Sequence, residues 1–188
     1  MGIHLGCSGS DEKKSDTEEQ QSEAKKNAEE SFFPVTAFLS GEIREMWELG
    51  TKVSSVVHED GKNTHNVWQD DTLSWKKSFQ DFFTPPIDSI RLGGTYRLSK
   101  FMDETIHAVT LSYERNTPIT TFPEWNNWNV YIEPETGTVK KLFLVKKLDI
   151  SHLQQLTWKH GQGCLIRDFD LDSTGQMVLK KEQEYSWK

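Results

Sequence analysis

The sequence predicts an α+β fold, with a curved antiparallel meander of about six to eight strands packed by two helices. Two segments before residue 86 repeat apolar residues every three or four positions, which is typical of helices that cover a core. After residue 86 short segments alternate apolar and polar residues, and tight turns separate them. No internal repeat and no regular succession of strands and helices is present, so a parallel sheet is not expected.

The chain of 188 residues divides into a tether, residues 1–30, and one globular α+β domain, residues 31–188. Between Ser8 and Glu30 every side chain is small, polar or charged, with eight acidic residues against four lysines. Such a segment has little apolar surface to bury, so burial cannot offset the entropy lost on ordering. All seven tryptophans and all ten phenylalanines follow residue 31, where they supply a core.

The first predicted helix begins near Pro34, whose missing N–H costs nothing at the start of a helix. It runs to Leu49 and is closed by Gly50, a residue that helices favour just after their last turn. Its apolar residues recur on one face: Val35, Phe38, Leu39, Ile43, Met46 and Trp47.

The second predicted helix covers residues 72–83, with Asp70 or Asp71 as its cap. Four residues share one face, with Trp75 and Phe82 nearby: Leu73, Lys76, Phe79 and Phe83. Thr84-Pro85-Pro86 ends this helix, because proline cannot continue the hydrogen-bond ladder.

The predicted strands begin with a hairpin over residues 51–68, whose turn contains Asp60-Gly61. Residues 87–102, with Gly93-Gly94 in their middle, show no clear period. The remaining segments alternate and are joined in sequence by turns, which predicts an antiparallel meander: residues 105–114, 128–132, 139–147, a strand containing Leu156 and Trp158, 164–169 and 176–187.

Composition excludes several classes of protein. The net charge of −7 argues against nucleic acid as the main partner, since phosphate binding needs clustered lysine and arginine. No apolar run approaches the roughly 18–20 residues of a membrane-spanning helix. The two cysteines, Cys7 and Cys164, lie in very different contexts and have no metal-type spacing.

The opening residues Ile3-His4-Leu5-Gly6-Cys7 resemble the end of a bacterial lipoprotein signal, in which a small residue precedes the lipid-bearing cysteine. Lipid attachment at Cys7 would place the membrane at one end of the tether. Two alternatives stay open. Met1-Gly2 with a nearby cysteine is also compatible with myristoylation plus palmitoylation, and an unmodified start is the other alternative.

Four stretches carry a family resemblance: residues 32–36 (FFPVT), 103–110 (DETIHAVT), 128–136 (WNVYIEPET) and 156–159 (LTWK). Together they resemble an uncharacterised family of Bacteroidota-type lipoproteins with an FFPVT-type opening. The resemblance covers roughly residues 32–188. It implies a location in the cell envelope and an N-terminal lipid on the cysteine, and it brings no catalytic residues.

Aromatic residues supply the candidate ligand-binding positions. Trp125 and Asn126 lie in a predicted proline-bounded loop next to Trp128, where rings and amides can stack on a sugar or anchor a protein. The alternative is that Trp125 folds back to fill one end of the sheet. A groove between sheet and helix would be lined by rings such as Trp75, Phe79, Trp128 and Trp158.

Patterns for catalysis and metal binding are weak. His58 and His65 flank the predicted hairpin but lack the further ligands that zinc needs. Cys164, across a turn from His160, has no orienting third group, and His107 shares a face with core residues. The series Asp168, Asp170 and Asp172 fails the calcium-loop pattern, with serine at the sixth position and leucine at the twelfth. The sequence therefore predicts no catalytic residue, no metal site and no cofactor.

These observations favour a non-enzymatic lipoprotein of the bacterial cell envelope, in the periplasm or at the outer membrane. Its partners would be the membrane, through its lipid, and either an envelope protein or an apolar or sugar ligand. The alternative is a small hydrolase or metal-dependent enzyme, which requires a cleft with converging polar groups. A third alternative is a purely structural envelope component, which requires a filled core without a pocket.

Overall fold

A computed structural model of the chain describes residues 32–68, 72–87 and 94–187. The described residues form helix α1 (Val35–Glu48), helix α2 (Thr72–Ser78) and a 3-10 helix (Gln80–Phe83). Their nine strands are β1 (Val53–Glu59), β2 (Lys62–Trp68), β3 (Tyr96–Asp103), β4 (Ala108–Arg115), β5 (Glu124–Ile132), β6 (Val139–Lys147), β7 (His152–Lys159), β8 (Gly163–Leu171) and β9 (Met177–Trp187). All of these elements belong to one compact unit, Pro34–Lys188.

The strands form one antiparallel sheet in the order β2-β1-β9-β8-β7-β6-β5-β4-β3. Strands β3 to β9 follow one another as a meander, and the β1–β2 hairpin joins this meander beside β9. In that junction Val53 pairs with Trp187 and His58 pairs with Glu182. The last strand of the chain is therefore an interior strand, and the sheet ends at β2 and β3.

The α+β class and the antiparallel sheet agree with the sequence, but the predicted strand count was too low. The additional strand is β3, in the segment that showed no clear period. Its register pairs Leu98 with Tyr113 and Lys100 with Leu111 of β4. Because β3 has a single neighbour, its positions are only half-buried or exposed, so no apolar alternation was needed to stabilise it.

Helix α1 ends as predicted. Gly50 has φ of 61°, a left-handed conformation that glycine adopts without steric cost. The N–H of Gly50 donates to the carbonyl of Trp47, and the N–H of Thr51 donates to that of Met46. This pair of bonds satisfies carbonyls that a helix terminus leaves unpaired.

The second predicted helix is divided into α2 and the 3-10 helix, with the break at Phe79. The tighter winding of a 3-10 segment places side chains three positions apart on one face. Phe79 and Phe82 both become buried in this way, and each ring lies 5.4 Å from the ring of Trp158. The predicted capping residues Asp70 and Asp71 lie outside the described residues.

The core lies between the helices and one face of the sheet. On that face Leu142 pairs with Trp158 and Leu144 pairs with Leu156, and all four side chains are almost wholly buried. Phe79 contacts the same face through Trp158 and Tyr185, whose rings are each 5.4 Å away. Within the described residues, every helix is too short or too polar to cross a membrane.

Candidate ligand-binding groove

A groove of about 410 Å³ separates α1 from the segment that contains α2 and the 3-10 helix, and its accessible surface is almost entirely apolar. We call it the α1–α2 groove. Eight residues line it: Ser40, Ile43, Arg44 and Trp47 of α1, Trp75 and Lys76 of α2, and Phe79 and Phe83 that follow.

The first wall of the groove consists of apolar residues of α1 that lie beside the residues it buries against the core. Val35, Leu39 and Met46 are buried, as the helical period predicts for residues that face the core. Ile43 and Trp47, one turn apart, lie beside that stripe and line the groove instead. Half of the surface of Trp47 is exposed, so the described residues bury its ring only in part.

The opposite wall is formed by Trp75 and Phe79, also one turn apart. Their rings meet edge to face at 6.2 Å, and Phe79 is fully buried. The indole Nε1 of Trp75 is buried and has no hydrogen-bond partner within the described residues. The indole N–H of Trp75 is thus a buried donor for which the described residues supply no acceptor.

The charged residues of the lining are both cationic. Arg44 and Lys76 are exposed, and neither forms an ion pair with another described residue. No carboxylate is among the described residues that line the groove. Two positive charges without an ion-pair partner in the described part of the chain therefore lie beside an apolar surface.

Helix α1 is held against the sheet by Glu42, one residue before the groove-lining Ile43. The Glu42 carboxylate lies 2.9 Å from Nδ1 of His160 and accepts a 3.3 Å hydrogen bond from Nε1 of Trp158. Only a tenth of the Glu42 side chain is exposed. These two bonds set the position of α1, and hence the first wall, relative to β7.

The segment after α2 is held by Lys146 of β6, whose side chain is almost completely buried. Its Nζ donates to the backbone carbonyls of Asp81 and Thr84, at 2.9 and 3.0 Å, and lies 3.6 Å from the Asp81 carboxylate. Burial lowers the pKa of Lys146, and the charge of Asp81 opposes that shift. Two donors of the ammonium thus bond the backbone at Asp81 and Thr84, which holds the 3-10 helix and the residue after it against β6.

A second contact of this network reaches β7 and β8. The amide nitrogen of Gln154 donates to Asp168 at 2.8 Å and to Asp81 at 3.2 Å. Burial raises the pKa of Asp168, and repulsion from Asp81 adds to the effect. The network therefore holds two carboxylates close to one buried amide and one buried ammonium.

The aromatic residues predicted to bind a ligand are distributed unevenly. Trp75 lines the groove, whereas Trp125, Trp128 and Trp158 are fully buried in the core. Trp125 and Asn126 lie in strand β5, which begins at Glu124, and not in a loop as predicted. Among the five residues proposed from the sequence, Trp75 is the one that borders this groove within the described part of the chain.

Trp125 fills one end of the core, as the alternative interpretation expected. Its Nε1 donates to the carbonyl of Pro85 at 2.7 Å, and its own carbonyl accepts a 2.6 Å bond from the hydroxyl of Tyr96. Burial raises the pKa of Tyr96 to about 12, which keeps this hydroxyl a donor. The neighbouring Asn126 donates to the side chain of Asn127 at 2.8 Å.

The candidate nucleophile and the aspartate series have structural partners. Cys164 is buried, and burial raises the pKa of its thiol, which disfavours the thiolate. Asp170 pairs with Lys180, and Asp172 accepts hydrogen bonds from the turn at Thr174. Within residues 32–68, 72–87 and 94–187, no group of three or more potential ligands is arranged to hold a metal ion.

Sequence reasoning missed most of the lining. It assigned Ile43 and Trp47 to the core face of the first helix. It proposed no ligand-binding role for Ser40, Arg44 or Lys76, although it placed Lys76 on the same helix face as Phe79. The sequence of α1 did contain a signal for the groove. Six of its fourteen residues are large and apolar, which makes an apolar stripe wider than contact with the sheet alone requires. Cys7, the predicted lipid-bearing residue, lies outside the described residues.

Comparison of the chain with protein-family models, with curated proteins and with solved structures found no match in any of the three.

Proposed function

We propose that this chain is a binding module that takes an apolar ligand into the α1–α2 groove. The observation that carries the proposal is the combination of a groove of about 410 Å³ with an almost entirely apolar surface and a half-exposed tryptophan. Cavities of roughly 300–1,000 Å³ are the usual size for small-molecule sites. Apolar surface of this kind is costly to leave in water and gains free energy when a ligand covers it.

The walls of the groove support this role because they are held from behind. Glu42 fixes α1, and Lys146 fixes the segment that follows α2. Both contacts are made to the sheet and leave the groove-facing side chains free for a ligand. A site whose walls are already in place loses little conformational entropy on binding.

We further propose that the module is a lipid-anchored lipoprotein of the bacterial envelope, with Cys7 as the modified residue and residues 1–30 as its tether. The support is the sequence around Cys7 and the polar composition that follows it. Expression of the full chain and of a Cys7→Ser variant in a bacterial host, followed by fractionation, tests this proposal. The native chain should partition with membranes and the variant should not; equal partitioning would contradict lipid attachment there.

The binding proposal is tested with the neutral fluorescent probe N-phenyl-1-naphthylamine. Its emission should rise saturably with one site per chain. An Ile43→Glu variant places a carboxylate in the apolar lining and should weaken binding at least about tenfold, because burial of that charge is costly.

The matched control is Leu49→Glu, which makes the same kind of change at an exposed position that does not line the groove. It should bind the probe as the native chain does. Equal loss in both variants, or no saturable binding to the native chain, would contradict the proposal. Circular dichroism of both variants checks that the fold is retained.

A further inference from the structure

We infer that the ligand of the α1–α2 groove is an anionic single-chain amphiphile, with its apolar chain in the groove and its acidic head between Arg44 and Lys76. This inference rests on the proposed function and adds the chemical class of the ligand. The shared chemistry is one aliphatic chain that ends in a carboxylate or a phosphate monoester.

Each wall of the groove carries one positive charge. Arg44 lies on α1 and Lys76 on α2, and both are cations without an ion-pair partner in the described part of the chain. Among the acidic residues of α1, Glu42 is bonded to Trp158 and His160. Glu45 and Glu48, the latter one turn after Arg44, form no ion pair with a described residue. An anion placed between the two walls therefore gains attraction from both.

The sign of the groove's charges favours an anionic head group. Its described lining residues include two cations and no carboxylate, although the whole chain has a net charge of −7, to which residues 8–30 contribute −4. An apolar ligand with a cationic head is disfavoured at this position, and a neutral one gains nothing from the two charges.

The apolar part of the groove suits one aliphatic chain. Aliphatic and aromatic side chains, chiefly Ile43, Trp47 and Phe83, form most of the described lining apart from the two cations. Its volume of about 410 Å³ lies near the lower end of the roughly 300–1,000 Å³ range of ligand sites. A single aliphatic chain suits that volume better than a two-chain lipid does.

The test is isothermal titration calorimetry on the full chain, with probes of one chain length kept below their micelle-forming concentrations. The probes are dodecanoate, dodecyl phosphate, dodecanol and dodecyltrimethylammonium, with inorganic phosphate as the anion that lacks a chain. We expect both anionic probes to bind at least about tenfold more tightly than dodecanol, and salt to reduce that difference.

Two charge-removing variants locate the head group. Arg44→Gln and Lys76→Gln should each weaken binding of dodecanoate about three- to tenfold and leave binding of dodecanol unchanged. Lys77→Gln is the matched control, since Lys77 lies next to Lys76 on α2 but outside the groove lining. It should bind both probes as the native chain does.

The outcomes separate this inference from the proposed function. If all four twelve-carbon probes bound the native protein equally and the Ile43→Glu variant lost that binding, the anionic class would be overturned. The groove would remain an apolar site. Inorganic phosphate that binds as tightly as dodecyl phosphate would also overturn it, because the chain would contribute nothing. Binding to anionic vesicles but to none of the monomeric probes would assign this surface to a membrane and contradict both proposals.

Discussion

The carboxylate of Glu42 lies 2.9 Å from Nδ1 of His160, a residue 118 positions later in the chain. The same carboxylate accepts the indole N–H of the fully buried Trp158. This pairing joins the first helix to the end of β7 and is one of the polar contacts that position the α1 wall of the groove. Another is made by Thr36, whose hydroxyl donates to the carbonyl of Ile87 and accepts from its N–H.

Removal of the Glu42 carboxylate should destabilise the fold. In a Glu42→Ala variant the buried indole N–H of Trp158 loses its acceptor, so we expect a loss of about 1–3 kcal/mol in the free energy of unfolding. Glu42→Gln retains an acceptor and should lose less. Glu45→Ala, an exposed change on the same helix, should alter stability by less than about 0.5 kcal/mol. Urea unfolding checks all three, and equal losses at positions 42 and 45 would contradict the contact.

Replacement of Lys146 should cost more than replacement of an exposed lysine on the same strand. Lys146→Met keeps an unbranched side chain but leaves the carbonyls of Asp81 and Thr84 without their donor, so we expect a loss of about 2–4 kcal/mol. Lys140→Met removes a partly exposed ion pair with Glu133 and an exposed hydrogen bond to the carbonyl of His107, and it should cost less than about 1 kcal/mol. Similar losses in both variants, measured by urea unfolding, would show that the buried ammonium does not hold the 3-10 helix.

Asp168 should make stability depend on pH in a defined direction. Burial raises its pKa above 3.8 in the folded chain, so its ionised form destabilises the fold above that raised pKa. Asp168→Asn should therefore be at least as stable as the native chain at about pH 7, with an advantage that declines as the pH falls and disappears below about pH 4. Urea unfolding across this range gives the measurement.

The control for that pH effect is Asp172→Asn, for which the sign is reversed. The hydroxyl of Thr174 donates to Asp172 and lowers the pKa of that carboxyl below 3.8. This variant should be less stable than the native chain at about pH 7, and the difference should shrink as the pH falls through the lowered pKa. The same pH trend in both aspartate variants would contradict the assignment.

Two glycine-to-alanine changes should have opposite effects. A Cβ on Gly163 would lie 2.2 Å from the backbone oxygen of Tyr185 on the neighbouring strand, so Gly163→Ala should cost at least about 2 kcal/mol or prevent folding. A Cβ on Gly41 in α1 meets no atom within 4 Å. Gly41→Ala should stabilise the fold by about 0.5–1 kcal/mol, because glycine disfavours a helix interior. Thermal unfolding distinguishes the two, and a loss at both positions would be inconsistent with this packing.

The two helices and most of the sheet could be predicted because their patterns follow from burial on one side. Alternation along β7 reports directly that Leu156 and Trp158 face the core. β3 could not be predicted in this way, since an edge strand with exposed Lys100 and Phe101 has no buried face to reveal its period. The pairing of β1 with β9 depends on residues more than 120 positions apart, which local patterns do not encode.

The groove was predicted only in part. Aromatic content indicated a site lined by rings, and Trp75 and Phe79 do line it. The sequence could not distinguish Trp75 and Phe79, which border the groove, from Trp128 and Trp158, which do not, because all four are buried aromatic residues with the same kind of sequence pattern. Trp47 was assigned to the core for the same reason, and the three-dimensional packing leaves half of it exposed.

Whether a ligand enters between α1 and α2 is tested most directly by the NMR signals of the tryptophan indole N–H groups. Titration of the 15N-labelled chain with dodecanoate should shift the signals of Trp47 and Trp75 saturably, with assignments made from Trp→Phe variants. The signals of Trp125 and Trp128, which do not line the groove, should stay unchanged. Saturable shifts confined to Trp125 and Trp128, or no saturable shift at Trp47 and Trp75, would contradict the account.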